Sequence, residues 1–430
     1  LPNLYPLQDA DRRRLAASRF QLLAYEPGSG KTPVALRAAQ DVAPAGPWLV
    51  VTVRNALLQW QEELRAWAPR TWLTGGRVTV TNWEQMDKPA ILEAARAAHV
   101  LIFDEIHEAR NMETATWQNA YKLTQAPAPG GAVRRIWGLT GTPVVNGPVD
   151  LVGQIILLGA YTPAQAWGLK ARFTNPQLGG IRGPVDYSGA ANLPELRRLL
   201  DPFTIRRRFA DFGMSMPPVT FTNWAVPVDP GNLGTEYTAA AGDFSAWYQS
   251  TRGRAVPPLA RFTTLRRLLS RAKVAGVAAK LKTELALGYK ILVFSEFRDT
   301  VQTLHGMFPG SGLILGGDTP GARLEVLEAV RGSQNAHVIF ASAGALDTAV
   351  NLQSISRVFY VDLGWTPAGF DQTLKRSWRY LQKLPVSIVR FFVEADPLEQ
   401  FIVGVLLRKE RVLADLGLES TASLRAFNLK

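Results

Sequence analysis

The sequence predicts an α/β protein of two tandem lobes, each built on a parallel sheet, and three observations carry that reading. Over the first ~210 residues, short apolar runs alternate with helix-like stretches, the pattern of parallel strands joined by helical crossovers. The same alternation resumes beyond a proline-marked segment, Met216-Pro217-Pro218 through Pro227 and Pro230. Between a strand and a helix of lobe one lies Glu26-Pro27-Gly28-Ser29-Gly30-Lys31-Thr32, which has no counterpart in lobe two.

In lobe one, Leu22-Leu23-Ala24-Tyr25 reads as a strand entering the glycine-rich run and Thr32 to Gln40 as the helix leaving it. Pro33 is tolerated there, because the first turn of a helix has no intrahelical N–H bond to lose. Trp48 to Val53 is a second strand, Ala56 to Trp67 a helix, and Val78-Thr79-Val80-Thr81 a third strand. Val100-Leu101-Ile102-Phe103 is a fourth and Arg135 to Thr140 a fifth. Residues 150–205 are helix-like with Gly/Pro-rich interruptions and are expected as a helical excursion from the sheet. Lobe two offers Ile291 to Phe294, Gly312 to Leu315, His337 to Phe340, Arg357 to Val361 and Ser387 to Phe392 as strands. The expected organisation is lobe one over residues 1–215, a linker over 216–258 and lobe two over 259–430.

A chain of 430 residues can hold two or three separate cores. Its 47% hydrophobic and 20% charged residues suit a folded globular protein. The absence of cysteine excludes disulfides, thiolate metal sites and thiol catalysis. His99, His107, His305 and His337 are too scattered for a metal cluster. No run approaches the ~18 uncharged apolar residues of a membrane span, and Leu1-Pro2-Asn3-Leu4-Tyr5 lacks the layout of a signal peptide. A cytoplasmic or nucleoid-associated protein with no membrane partner is expected.

Net charge is +12, and residues 251–300 alone hold 11 Lys/Arg against three acidic residues. Such a block suits a polyanion, nucleic acid first, and charge alone suits a solvated basic helix equally well. From Leu259 to Leu287 apolar residues recur at helical spacing, with Arg266, Arg267, Arg271 and Lys273 among the basic residues between them.

The glycine-rich run has the makings of a phosphate cradle. Gly28 and Gly30 let backbone N–H groups around Ser29 turn toward phosphate oxygens, Lys31 can reach the outer phosphates, and the Thr32 hydroxyl can ligate Mg²⁺. Asp104-Glu105-Ile106-His107 places two carboxylates at the end of the fourth strand. One can hold the metal while the other orients a water. His107, three residues beyond Asp104, is placed to sense the nucleotide. A third run, Gly138-Leu139-Thr140-Gly141-Thr142-Pro143-Val144-Val145-Asn146, takes the fifth strand into a turn. The cradle and the acid pair together indicate hydrolysis of a nucleoside triphosphate.

The set resembles the Swi/Snf (Snf-two) branch of superfamily-two helicase-like ATPases. That branch reads D-E-M-G-L-G-K-T, D-E-A-H-x-x-K-N and L-T-G-T-P-x-x-N, matched by Tyr25 to Thr32, Asp104 to Asn111 and Leu139 to Asn146. Leu4-Tyr5-Pro6-Leu7-Gln8 is similar to its opening L-R-P-Y-Q. Pro202-Phe203-Thr204-Ile205-Arg206-Arg207 with Met216-Pro217-Pro218 resembles P-F-x-L-R-R…L-P-P. In lobe two, Lys290 to Ser295 is similar to the fourth motif and Gly317-Asp318-Thr319-Pro320 with Arg323 to G-S-T-P-x-x-x-R. Ala343-Gly344-Ala345 and Val350-Asn351-Leu352 resemble a divergent fifth motif. Asp362 to Pro367 matches D-x-x-W-N-P, and Gln372 to Gln382 matches Q-A-x-x-R-x-H-R-x-G-Q. Tyr25, Ile106, Trp378 and Leu381 depart from the family's Asp, Ala, His and Gly.

The resemblance implies two RecA-like lobes in a minimal two-lobe form, ATP and Mg²⁺ as cofactors, and double-stranded DNA as the nucleic-acid partner. It implies Lys31, Asp104, Glu105 and the arginine fingers Arg376 and Arg379 as catalytic residues. Gln8, Gly28, Ser29, Gly30, Lys31 and Thr32 would bind the nucleotide, with Thr32 and Asp104 on the metal. His107, Thr140, Gly141, Thr142 and Gln372 would couple the site to movement. Thr81 and Ser295 join Arg266, Arg267, Arg271 and Lys273 as candidate nucleic-acid contacts. The expected function is an ATP-dependent motor moving along duplex DNA. The alternatives are a strand-separating DNA or RNA helicase and a nucleic-acid-binding component with a vestigial ATP site.

Overall fold

The computed structural model describes residues 3–44, 46–67, 77–178, 185–213, 216–228, 232–251, 259–333, 337–342, 345, 352, 354–378, 382, 384–418 and 424–427. Two compact units emerge, one of Leu1–Ser215 with Lys409–Thr421 and one of Met216–Arg408 with Ala422–Lys430. Each is centred on a six-stranded parallel sheet. Among the described residues, no helix is long and apolar enough to cross a membrane.

The first unit contains β1 (Phe20–Tyr25), β2 (Trp48–Thr52), β3 (Val78–Asn82), β4 (Val100–Asp104), β5 (Arg135–Thr140), the short antiparallel pair β6 (Gln177–Leu178) and β7 (Val185–Asp186), and β8 (Thr204–Arg207). Its sheet runs β3-β2-β4-β5-β1-β8. All five residues of β2 and all five of β4 are buried, as a central parallel strand covered on both faces requires. Alternation sorts them: Leu49, Val51, Leu101 and Phe103 enter one apolar cluster, and Trp48, Val50, Val100 and Ile102 the other. Helices α1 (Pro6–Ala17), α2 (Lys31–Val42) and α3 (Leu57–Trp67) add Leu15, Leu36, Trp60 and Leu64 to the second cluster.

The expected helical excursion contains helices Val149–Leu158, Ala166–Thr174 and Leu193–Leu200, with the antiparallel pair β6 and β7 falling between the last two in sequence. Gly159, at φ 90°, ends the first of these, its N–H bonding back to Ile155 and Ile156. The buried Arg134 guanidinium closes two other helix ends. It donates to the carbonyls of Ala95, at 2.6 Å, in the last turn of helix Pro89–Ala97, and of Ala126, at 2.6 Å, the residue that caps helix Ala115–Gln125.

The second unit holds β9 (Val219–Ala225), β10 (Lys290–Ser295), β11 (Gly312–Ile314), β12 (His337–Ser342), β13 (Arg357–Tyr360) and β14 (Val386–Phe392), in the order β11-β12-β10-β13-β14-β9. The linker expected over 216–258 is corrected here. β9 pairs with β14 from Val219↔Val386 to Ala225↔Phe392, and Tyr237 and Phe244 of helix Asn232–Thr251 lie in the unit's core. The prolines bracket a strand rather than fill a crossing. Residues 409–421, expected in lobe two, group with the first unit, where Leu416 is fully buried. The basic segment is two helices, Leu259–Ala272 and Val274–Ala286, that meet at Lys273.

Candidate nucleotide site

Parallel strands end on a common edge, and in α/β sheets that edge carries the ligand. In the first unit β1 ends at the cradle, β2 at Thr52, β4 at Asp104 and β5 at Thr140. Helix α2 begins at Lys31, so its unpaired N-terminal N–H groups lie at the cradle, suited to an anion.

Gly28 and Gly30 have φ of 85° and 91°, a left-handed conformation that glycine adopts without strain. A Cβ on Gly30 would also approach the Gln8 amide to 2.5 Å. Gln8 Nε2 donates to the Ser29 carbonyl at 2.9 Å, and its Oε1 accepts from the Tyr5 N–H at 3.0 Å. The Ser29 hydroxyl is spent on the loop itself, donating to the Glu26 carbonyl at 2.6 Å. Tyr25 turns into the core, its ring 5.4 Å from Phe212 and its hydroxyl on Asp11. Asp11 also accepts two hydrogen bonds of 2.7 Å from Arg207. Burial and the Asp11 carboxylate push the Tyr25 hydroxyl far above its usual range.

Asp104 is buried, and its Oδ2 accepts from the Thr52 hydroxyl at 2.8 Å and the Trp60 indole N–H at 2.7 Å. The Trp83 indole donates to the Asp104 carbonyl at 3.1 Å. Burial and the adjacent Glu105 charge push the Asp104 carboxyl up, against Trp60, Lys31 and Thr52. Glu105 takes φ 50° and ψ 50°, a left-handed conformation that costs a non-glycine residue about 1–2 kcal/mol. Its Oε2 lies 3.3 Å from His107 Nδ1 and accepts from the Thr140 hydroxyl at 3.3 Å. Burial pushes its carboxyl up, but Lys31 and His107 outweigh burial and hold it down at about 2. Mg²⁺ takes oxygen ligands and keeps several waters. Among the described residues Asp104 Oδ1 accepts no hydrogen bond, which leaves at the end of β4 a carboxylate oxygen of the kind the ion takes.

Thr140 is fully buried; its hydroxyl accepts from the Thr142 N–H at 3.0 Å and lies 3.0 Å from His107 Nδ1. Burial pushes the His107 imidazole down, but its hydrogen bond to Glu105 and the charges of Glu105 and Glu108 outweigh burial and raise it. Gly141 packs on the cradle: a Cβ there would meet Pro27 Cγ at 2.6 Å. Ile106, in place of the family's Ala, fits because a Cβ on Gly138 would meet its Cδ1 at 2.6 Å. Beyond Pro143, Asp150 Oδ2 accepts from the N–H groups of Val145, at 2.8 Å, and Asn146, at 2.6 Å, which orders the turn.

Arg379 lies outside the described residues, as do Ala343, Gly344, Val350, Asn351 and Leu381. Gln372 and Arg376 stand on helix Pro367–Ser377, whose backbone alone is described at both positions. Trp378, where the family has His, is buried and donates its indole N–H to the Pro217 carbonyl at 2.9 Å.

Three expected nucleic-acid contacts are corrected by their partners inside the second unit. Ser295 is fully buried and donates to Asp362 at 2.7 Å. Lys273, 1% exposed, donates to Glu399 at 2.9 Å. Arg266 donates to the Leu363 carbonyl at 2.7 Å, its guanidinium 4.7 Å from the Trp365 ring centre. The physical reason is spacing: Arg266, Leu269 and Lys273 fall on the same face as Phe262 and Leu265, which faces the core. Arg267 is exposed and Arg271 half-buried, 2.9 Å and 3.7 Å from Asp299. Thr81, at the end of β3 in the first unit, is buried, and its hydroxyl has no partner among the described residues.

Sequence reasoning missed Asp11, Thr52 and Trp60. Only Thr52 carried a signal, since neighbouring parallel strands end on the same edge.

Two family models match the chain in tandem, the SNF2-related domain over residues 69–233 and the Helicase conserved C-terminal domain over residues 273–381. The chain is 23% identical over 424 residues to the "SWI/SNF-related matrix-associated actin-dependent regulator of chromatin subfamily A-like protein 1" of Drosophila melanogaster, covering 92% of this chain and 53% of that protein. It is 25% identical over 425 residues to the "DNA annealing helicase and endonuclease ZRANB3" of Mus musculus, covering 91% of this chain and 38% of that protein. It therefore spans about half or less of the length of these relatives. A solved structure, the "Sulfolobus solfataricus SWI2/SNF2 ATPase core in complex with dsDNA", aligns over 96% of this chain and 92% of that chain, at 20% identity and a TM-score of 0.43. With both domains matched in order, the chain carries an SNF2-related domain followed by a Helicase conserved C-terminal domain, as Swi/Snf-type helicase-like ATPases do.

Proposed function

We propose that the chain hydrolyses ATP with Mg²⁺ and uses the cycle to move along the backbone of double-stranded DNA. One observation carries the reading: the cradle, the acid pair and the His107–Thr140 contact collect on one edge of the first unit's sheet. Two relatives whose printed names refer to chromatin and to DNA annealing support nucleic acid as the partner.

In this reading Gly28 to Lys31 cradle the phosphates, Thr32 and Asp104 hold the cation, and Gln8 keeps one amide N–H and one lone pair for adenine. The bound Mg²⁺ neutralises charge on the outer phosphates. Glu105, held anionic by Lys31 and His107, orients the attacking water and takes its proton. Thr140, Gly141 and Thr142 transmit the state of the γ-phosphate through the hydroxyl they share with Glu105 and His107. Arg376 and Arg379 are the arginine fingers, a role supported by the motif they stand in and worth about 10³–10⁵ in rate elsewhere. Gln372 belongs to the same coupling motif. Of the four expected basic contacts, Arg267 and Arg271 remain to meet DNA phosphates, which position a protein without reading sequence.

The test is the ATPase rate with no nucleic acid, single-stranded DNA, duplex DNA and RNA. Duplex DNA should stimulate most. Stimulation by RNA alone would indicate an RNA-directed motor, and displacement of a strand from a forked duplex a strand-separating helicase. Undetectable hydrolysis in all four would leave a nucleic-acid-binding component.

A further inference from the structure

We infer that Thr52 and Trp60 are positioning residues for the cation-binding carboxylate, locking one oxygen of Asp104 so that the other is aimed at the metal. The inference rests on the MgATP reading above. Both donors reach the same atom, Oδ2, from different elements: Thr52 from the end of β2 at 2.8 Å, Trp60 from α3 at 2.7 Å. Thr52 is 0% and Trp60 1% exposed, so neither donor has water as a substitute partner. Turning the carboxylate about its Cβ–Cγ bond would break both hydrogen bonds at once. The Trp83 indole N–H on the Asp104 carbonyl fixes the backbone as well.

The arrangement also answers a competition. The Lys31 ammonium acts on Asp104 and would draw a freely rotating carboxylate toward itself. Two neutral donors hold Oδ2 without adding positive charge beside the cation. Trp60 also packs in the apolar cluster of β2 and β4, so its indole has a structural task too. Thr52 separates the two roles, because valine replaces its hydroxyl by a methyl of nearly the same size.

The test uses the full chain and a non-hydrolysable ATP analogue, titrated calorimetrically with and without Mg²⁺. The readout is the ratio of the two dissociation constants, the part of affinity that depends on the cation. Thr52→Val and Trp60→Phe should each shrink that ratio by about tenfold or more, the usual cost of losing an outer hydrogen-bond partner of a metal ligand. Metal-free affinity should stay unchanged, and Thr52→Ser should keep the wild-type ratio. A wild-type ratio in folded Thr52→Val overturns the inference, as does an equal loss of affinity with and without Mg²⁺. If Trp60→Phe fails to fold, the two Thr52 variants decide. A wild-type chain that binds the analogue in neither condition overturns the ATP reading itself, and this inference with it.

Discussion

The His107 imidazole and the Thr140 hydroxyl meet at 3.0 Å, tying the turn after β4 to the end of β5. The same hydroxyl donates to Glu105 and accepts from the Thr142 N–H, so the Glu105 carboxylate and the loop after β5 share one network around the buried Thr140. Loss of the shared hydroxyl takes a hydrogen-bond partner from Glu105 and from the Thr142 N–H at once.

Thr140→Val removes the shared atom while keeping the shape. It should lower kcat about tenfold, the equivalent of one charge-linked hydrogen bond of about 1.5 kcal/mol. The KM for ATP should hardly change. Steady-state kinetics check this, and a rise in KM at unchanged kcat would contradict a coupling role.

Glu105→Gln keeps the size of the side chain and removes its charge. ATP binding should survive while turnover falls by about 10²–10⁴, the range for a lost general base. Phosphate release together with nucleotide titration tests both halves. Near-normal turnover would remove Glu105 from the mechanism.

Arg207→Met leaves the buried Asp11 carboxylate with the Tyr25 hydroxyl alone. Breaking such a pair should destabilise the chain by about 3 kcal/mol and lower its melting temperature. Because α1 carries both Asp11 and Gln8, the KM for ATP should rise too. Tyr25→Phe, which removes one neutral donor, should cost about 1 kcal/mol.

Glu399 accepts from Lys273 at 2.9 Å and Arg390 at 2.7 Å. Burial pushes its carboxyl up, but the two cations outweigh burial and hold it below the ordinary value of 4.5. A lowered folded value contributes stability that is present above pH 4.5 and lost as pH falls through the folded value. Urea midpoints should therefore separate wild type from Glu399→Gln most at neutral pH and converge in acid. Lys273→Met should lower the midpoint while leaving DNA affinity unchanged, the opposite of what a phosphate contact would give.

The cradle, the acid pair and the Thr140 run were legible because each is contiguous and follows an apolar strand buried on both faces. β8 and β9 were not. Both lie at sheet edges, and Val219 to Ala225 alternates half-buried and exposed residues between prolines, as a loop can. The basic segment misled for a related reason. Helical spacing says which residues share a face, yet a long cation on the apolar face, such as Lys273, can be buried against a carboxylate that lies 126 residues away.

The sequence by itself determined two α/β lobes, a phosphate cradle in the first, and two carboxylates at a strand end. Only the tertiary structure decided which Asp104 oxygen is hydrogen-bonded, that Gln8 is tied to Ser29, and which basic residues are consumed inside the second unit. Those outcomes depend on side chains brought together by sheet order and helix packing. Local periodicity encodes which face a residue takes, but not which distant partner waits there.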